Sequence, residues 1–366
     1  MTTMCNKCLF GDDIAGVSID TAGLCNFCVS HSKQILKYSF TDEIAKRNLS
    51  QMRFRIMSRK KAEYDALLGL SGGVDSSFIA MISKELNLNI LCIHFDNGWN
   101  SNIAVKNIGK IIDKTNYDLV THVINWEEFK DLQRAFFYSG VVDIEMLTDH
   151  AIFSSMFKLA KKYKVRTILS GTNYRTEHGM PEAWVWNKMD VANILDIHKK
   201  FGRKKLTTFP KMSPYLWLMM KQFGIGARFE EPLNLINYRK KDAIKELENY
   251  FSWEDYGGKH HESEFTKFYQ TYILPRKFKI DKRRVHLSDL IRNKELSREA
   301  ALKLMEKPIE DDKISDLKKF VIKKLGFDEV EFDYIMTQQP QAHNLFKTQV
   351  PNINRLKALR SLLVRS

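Results

Sequence analysis

Ser71-Gly72-Gly73-Val74-Asp75-Ser76-Ser77 is a stretch whose residue types could do chemistry. Its two glycines leave the backbone bare, so their N–H groups can close around phosphate oxygens, and the flanking hydroxyls add donors. An apolar run ends at Leu70 just before it, and an apolar-periodic helix follows to about Leu86. Strand, tight loop and helix start are therefore in series, and the helix start brings unpaired N–H groups and the positive end of its dipole. The stretch reads as a phosphate cradle. A Walker A loop would end in Gly-Lys-Ser/Thr and a dinucleotide loop would read GxGxxG, and neither pattern is present in it. A serine-capped helix after a glycine turn is the plainer reading of the same residues.

The second set is sulfur. Cys5-Asn-Lys-Cys8 and Cys25-Asn-Phe-Cys28 are two CxxC knuckles, while Cys92 stands alone inside an apolar strand. Four thiolates at that spacing can enclose one tetrahedral Zn²⁺, each pair supplying two ligands from a tight turn. With every position a cysteine the site is closed and structural, holding down a segment of about 30 residues too small for a core of its own. An iron–sulfur cluster takes the same ligands, and a pair of disulfides is the reading for an exported chain. The start, MTTMCNKC, has no hydrophobic signal region and no run of 18 apolar residues occurs, so a soluble cytoplasmic protein without a membrane segment is expected.

These groups need a scaffold. A charged helix is expected from Thr41 to Lys61, strands at Asn89–Phe95, Leu119–Ile124 and Val165–Leu169, and helices at Ile103–Thr115, Trp126–Tyr138, Ala151–Tyr163 and Lys240–Phe251. Strands alternating with helices give an α/β fold, a doubly wound parallel sheet with right-handed crossovers. Ligands bind beyond the carboxyl ends of such strands, which places Phe95 and Asp96 against an adenine or ribose. His94 reads as a satisfied core histidine, and the apolar segment Ser213–Ile225 as core. The expected organisation is a four-cysteine zinc knuckle over 1–40, a nucleotide domain over 41–250 and a helical, basic region over 251–366.

The net charge of +14 suits an anionic partner, or a solvated lysine-rich surface. Positive charge concentrates between Asp255 and Leu290, where Arg276, Lys277, Lys279, Lys282, Arg283 and Arg284 interleave with aromatic rings. That mixture suits a polyanion carrying a stacked base, or an amphipathic helix with a solvated basic face. His260-His261-Glu262 is not a zinc site, because adjacent residues point to different faces.

SGGVDS resembles the SGGxDS pyrophosphate loop of the ATP pyrophosphatases, which cleave ATP to AMP and pyrophosphate to activate an oxygen as its adenylate. That superfamily includes GMP synthetase, asparagine synthetase and several tRNA-modifying enzymes. With the paired CxxC knuckles, PEAWVWNKMD at Pro181–Asp190, YGGKHHES at Tyr256–Ser263 and FTKFYQTYILPRKFKIDKRRVHLSDLI at Phe265–Ile291, the chain resembles the N-acetyl sugar amidotransferases of surface-polysaccharide and flagellar-sugar biosynthesis over roughly residues 1–305. The tail from Glu306 is helix-like and unassigned.

The resemblance implies that the acetamido oxygen of a nucleotide-linked or free N-acetyl sugar is adenylated and then displaced by ammonia, giving an acetamidine. It implies ATP held by Ser71, Gly72, Gly73, Asp75, Ser76 and Ser77, with Gly171 and Thr172 on a second nucleotide loop, and Mg²⁺ near Asp75 or the acidic patch of Asp143, Glu145, Asp149 and His150. Asp75, Glu177, Lys259 and His260 are the implied catalytic residues, Glu177 as general base. Trp184, His261, Glu262, Arg276, Lys277, Lys282 and Arg283 are implied to bind the sugar or its phosphates. Ammonia is expected from a partner glutaminase with a cyclase-like barrel subunit, since Cys92 lacks a nucleophile elbow. Nucleic acid is not an expected partner, although a tRNA-modifying enzyme would share the loop, the knuckles and the basic balance. Sulfur transfer is disfavoured because no cysteine pair is left over, while lysidine-type amination and a non-catalytic nucleotide-binding subunit remain alternatives.

Overall fold

The computed structural model describes residues 2–223, 226–257, 262–309 and 314–355. After the cysteine segment and helix α1 (Asn26–Gln34), α2 (Asp42–Arg59) starts on Thr41, whose hydroxyl accepts from Ile44 N, with Asp42 and Glu43 in its first turn. The alternating unit is β1 (Ala66–Gly69), α3 (Val74–Glu85), β2 (Ile90–Asp96), α4 (Asn102–Thr115), β3 (Asp118–Val123), α5 (Trp126–Ser139), α6 (Met146–Lys162) and β4 (Thr167–Leu169). Then follow α7 (Tyr174–Glu177), α8 (Val191–Phe201), α9 (Pro214–Phe223), β5 (Arg228–Glu230) and α10 (Lys240–Phe251). The C-terminal part is α11 (Glu264–Phe268), a π-helical continuation over Tyr269–Phe278, α12 (Arg283–Arg292), α13 (Arg298–Glu306), α14 (Ile314–Leu325) and α15 (Glu329–Thr337).

All five strands are parallel, in the order β3-β2-β1-β4-β5. The sheet is doubly wound. Ala66, Leu68, Ile90 and Cys92 pack one face against α2, α3, α4 and α10, while Leu67, Leu91 and Ile93 pack the other against Met156, Leu159 and Ala160 of α6. This alternation is the two-residue period of a strand. The chain turns from one side of β1 to the other between β3 and β4, so the switch point lies at the carboxyl ends of β1 and β4, where a crevice opens.

Two features depart from expectation. β5 is a three-residue edge strand with Arg228 and Phe229 exposed, too short and too open to show a pattern. The apolar segment expected as core forms α9, which leaves Leu216 and Met219 exposed and leans on Phe153 of α6 through Trp217. The largest core joins the cysteine segment (Cys5, Phe10, Cys28), α5 (Phe129, Phe136) and the C-terminal helices (Phe265, Phe268, Phe332) into one cluster. No described helix is long and apolar enough to cross a membrane.

Candidate functional site

Leu70 closes β1 and the chain turns at Gly72, whose φ of +77° is left-handed. A Cβ there would stand 2.3 Å from Ala104 O, so the loop lies directly on the first turn of α4. Trp253 Nε1 donates to Gly72 O at 3.0 Å and pins it from the other side. Ser71 Oγ accepts from Gly73 N at 3.2 Å and lies 3.2 Å from Ser76 Oγ, which donates to Gly73 O at 3.2 Å. Val74 N, one of the donors at the start of α3, gives its hydrogen to the Tyr256 hydroxyl at 3.3 Å. Burial, with the Glu262 carboxylate beside it, pushes the Tyr256 phenol well above its usual range, so it stays a neutral hydroxyl. Asp75 accepts from the Tyr238 hydroxyl, which burial and the Asp75 charge likewise keep protonated.

Two cavities open on this loop. The smaller, about 250 Å³, is lined by Ser71, Gly73, Asp75, Ser76, Gly171, Thr172, Glu177, Lys240, Tyr256 and Glu262. The larger, about 550 Å³, runs from Ser71 past Phe95 to Glu145, Asp149, Lys188, Gln270 and Lys282. Ser71, Thr172, Glu177 and Glu262 line both, so they form one crevice. Its volume is that of small-molecule sites, and it sits at the switch point.

At the far end Lys188 Nζ lies 2.7 Å from Asp143 and 3.2 Å from Asp149. Burial works to lower its pKa, but Asp149 and Asp143 outweigh it and the net shift is upward, so the ammonium is retained. Lys282 Nζ lies 3.8 Å from Glu145. His150, the fourth member of the acidic patch, is buried between Lys188 O and Met212 N and does not reach the crevice. His94 is satisfied by Leu70 O and Asn100 Nδ2.

The expected site residues divide. Ser71, Gly73, Asp75, Ser76, Phe95, Gly171, Thr172, Glu177, Glu262 and Lys282 converge on the crevice, with Gly72 shaping the loop behind it. Ser77 does not. One helical step from Ser76 turns it into the core, where it is fully buried. Asp96 points to the opposite side of β2 from Phe95 and accepts from Gly98 N at 2.8 Å, shaping the turn. Trp184 is buried beside a different cavity, with Asp13 and Arg284.

The basic stretch is not gathered on one ligand. Arg276 lies 3.9 Å over the Tyr272 ring, and Lys277 donates to Ile335 O at a half-buried position where desolvation lowers its pKa. Arg283 is bound to Asp281 at 2.8 Å and to Lys307 O at 2.7 Å, beside a separate cavity of about 440 Å³. Arg284 pairs with Asp13 and donates to Leu9 O. Lys259, His260 and His261 lie outside the described residues. Lys188, Tyr256 and Gln270 line the crevice and Tyr238 reaches it through Asp75; three of them lie in the sequence motifs, but none carried an assigned role, because each meets the site only through packing.

The four cysteine sulfurs lie within 4.8 Å of one another, with Cys5–Cys28 at 3.9 Å and Cys8–Cys25 at 3.6 Å. A tetrahedral Zn²⁺ with Zn–S near 2.3 Å requires sulfurs about 3.8 Å apart, so the cluster fits structural zinc. Lys7, Phe10, Cys25 and Cys28 N–H groups donate to these sulfurs, as does the buried Arg292 guanidinium to Cys8 Sγ at 3.5 Å. Hydrogen bonds from Cys25 and Cys28 hold Cys8 far below the usual thiol range, with Arg292 adding to the effect, and the same contacts push the Cys28 thiol up, so without a metal the negative charge settles on Cys8. Leu9 N donates to Ser288 Oγ and Arg298 Nε to Cys8 O, so the knuckle is fastened to α12 and α13.

The parallel sheet, the glycine loop at its switch point, the four-cysteine cluster and the helical C-terminal region define a doubly wound α/β protein with a cysteine knuckle and a helical C-terminal part. Residues 262–360 match the family described as LPS biosynthesis protein WbpG-like, C-terminal domain, and the first turns of that segment supply the crevice wall at Glu262, Ser263, Thr266 and Gln270. No curated protein matches the chain. Among solved structures it is similar to NMN synthetase from Francisella tularensis, at 14% identity and a TM-score of 0.32, covering 61% of this chain and 96% of that one. It is also similar to the NH3-dependent NAD synthetase from Campylobacter jejuni subsp. jejuni, at 14% identity and a TM-score of 0.32, covering 57% and 93%.

Proposed function

We propose that this protein is an ATP-dependent, AMP-forming ligase of lipopolysaccharide or related glycan synthesis, which adenylates the acetamido oxygen of an N-acetylated sugar and replaces it with ammonia. The observation that carries the reading is the glycine-bare loop at the switch point, opening into a crevice whose opposite wall comes from the WbpG-like segment.

An amide carbonyl is a poor electrophile and its oxygen a poor leaving group. Transfer of AMP to that oxygen breaks the bond between the α-phosphorus and its bridging oxygen and releases pyrophosphate. Ammonia then adds at the carbon, and the C–O bond breaks with AMP leaving. In this reading the Gly73 and Val74 N–H groups turn from Ser71 Oγ and Tyr256 Oη to pyrophosphate oxygens. Asp75, Glu177 and Glu262 face the smaller cavity with Lys240 as its one described ammonium, so phosphates enter with Mg²⁺, for which Asp75 is the placed carboxylate. Glu177, on the wall common to both cavities, takes the proton that ammonia sheds on attack. Ammonia comes from a partner glutaminase with its barrel subunit: burial pushes the Cys92 thiol up to about 12, which unfits it as a glutaminase nucleophile.

The test is pyrophosphate release from MgATP with high ammonium, screening N-acetyl sugars, their phosphates and UDP-sugars against bulk tRNA, with Asp75→Ala as control. Sugar-dependent release with the mass change of acetamide to acetamidine is the expected result. Release that requires tRNA would overturn it.

A further inference from the structure

The far end of the crevice differs chemically from the loop end. Among the described residues, the larger cavity carries the carboxylates of Glu145, Asp149, Glu177 and Glu262 against the ammonium groups of Lys188 and Lys282. Both lysines already face carboxylates, Lys188 at Asp143 and Asp149 and Lys282 at Glu145. Glu177 and Glu262 belong to the wall shared with the loop end, so at the far end Glu145 and Asp149 are balanced by Lys188 and Lys282 and no unpaired cation is left for a second phosphate among the described residues.

The facing wall is neutral and hydrogen-bonding. Thr266 and Gln270, four residues apart on α11 and its π-helical continuation, line the cavity together with Ser263, the N-cap of α11, whose hydroxyl accepts from Thr266 N at 3.2 Å. Pro275 further along has no N–H and crowds the preceding turn; the wide π turn accommodates it and continues the same wall. Gln270 is only 8% exposed, and its carboxamide makes no hydrogen bond to another described residue. A carboxamide opening on a cavity without a protein partner is left for water or a ligand to complete. It offers one acceptor and two donors in a plane, the complement of an amide group or of vicinal hydroxyls.

We propose that this end, formed by Gln270, Thr266 and Ser263 with Glu145 opposite, binds the uncharged amide- and hydroxyl-bearing ring of the acceptor, and that any phosphate on the acceptor lies outside it. The inference rests on the function proposed above. It also moves Lys282 from a phosphate ligand to the partner that orients Glu145.

The full-length protein, its variants and the sugar identified by pyrophosphate release make the test. Gln270→Leu raises KM for the acceptor about tenfold while kcat and KM for ATP stay within about twofold, because one polar pairing is lost and the loop is untouched. Gln270→Glu, of equal size, also raises KM and guards against a folding artefact, which circular dichroism checks. Because the recognised part is uncharged, raising salt from about 50 to 300 mM leaves the acceptor KM within about twofold. An unchanged KM in Gln270→Leu, or a KM that climbs steeply with salt, overturns the site while leaving the ligase reading intact. If the wild type turns over no N-acetyl sugar, the ligase reading fails and calorimetry with free N-acetylhexosamines decides the site alone. Binding at least about tenfold tighter to wild type than to Gln270→Leu supports it, and absence of binding refutes it.

Discussion

Gly72→Ala is the substitution that most directly probes how the loop is built. The left-handed backbone, φ +77°, costs a residue bearing a Cβ about 1–2 kcal/mol. That Cβ would also stand 2.3 Å from Ala104 O and 2.9 Å from Ala104 C, both backbone atoms and about 1 Å inside ordinary contact. Neither can rotate away, so the loop or α4 must shift, and overpacking of this kind costs about 1–3 kcal/mol more. The total is roughly 2–5 kcal/mol, which for a chain of 366 residues corresponds to a melting point lower by roughly 3–6 °C. Two neighbours serve as controls. A Cβ on Gly171 meets Asp75 Cβ at 3.4 Å, an ordinary contact, so Gly171→Ala melts within about 1 °C of wild type. A Cβ on Gly73 meets Ser71 Oγ at 3.1 Å and Glu262 Oε1 and Tyr256 Oη at 3.3 Å, all side-chain ends that can give way. Gly73→Ala therefore keeps its melting point but loses pyrophosphate release, because the methyl faces the anion seat. Calorimetric melting and the release assay on the three variants read these outcomes. A Gly72→Ala protein that melts with the wild type would refute the reasoning.

Removing the metal loosens the amino-terminal segment, whose sulfurs at 3.6 and 3.9 Å otherwise repel or pair only weakly. Chelation or Cys8→Ser is expected to lower the melting point by about 5 °C or more, and metal analysis of the purified protein to give about one zinc per chain; a stripped protein that melts like the loaded one contradicts this. Acid is expected to act through His343, whose Nε2 accepts from Asp143 N and whose ring stacks on Trp186. Burial holds its pKa down at about 4, against an ordinary value near 6.5. Above pH 6.5 both folded and unfolded chains carry it neutral. As pH falls below that, the unfolded chain takes up a proton that the folded one refuses, so stability is lost progressively down to about pH 4. The gap amounts to roughly 3 kcal/mol at most. His343→Gln should start with a lower melting point at pH 7 and decline less between pH 7 and 5; parallel declines would exclude the histidine as the cause.

The parts readable from the chain alone are those whose cause is local. The SGGVDSS loop carries its own turn residues and helix start within a few positions, and the start of α2 at Thr41 and the end of α5 at Gly140 follow from capping chemistry. β1 and β2 are legible as short apolar runs. β5 is not, because three residues on a half-exposed edge carry no period, and neither is the exposure of α9, because apolar composition does not say whether a surface exists to cover it.

The sequence by itself determined the glycine-bearing loop, the four-cysteine set and the parallel α/β alternation, since each depends on residues adjacent or regularly spaced along the chain. Tertiary structure alone decided which charges are paired within the fold. Arg284 is neutralised by Asp13, Lys277 is spent on Ile335 O and Lys282 faces Glu145, all partners remote in sequence, so a basic run that looked like one polyanion site became several internal pairs. The reverse holds for Gln270, ordinary in sequence, which packing buries at the crevice wall. What a charge or an amide does depends on the solvent and partners around it, and folding sets those.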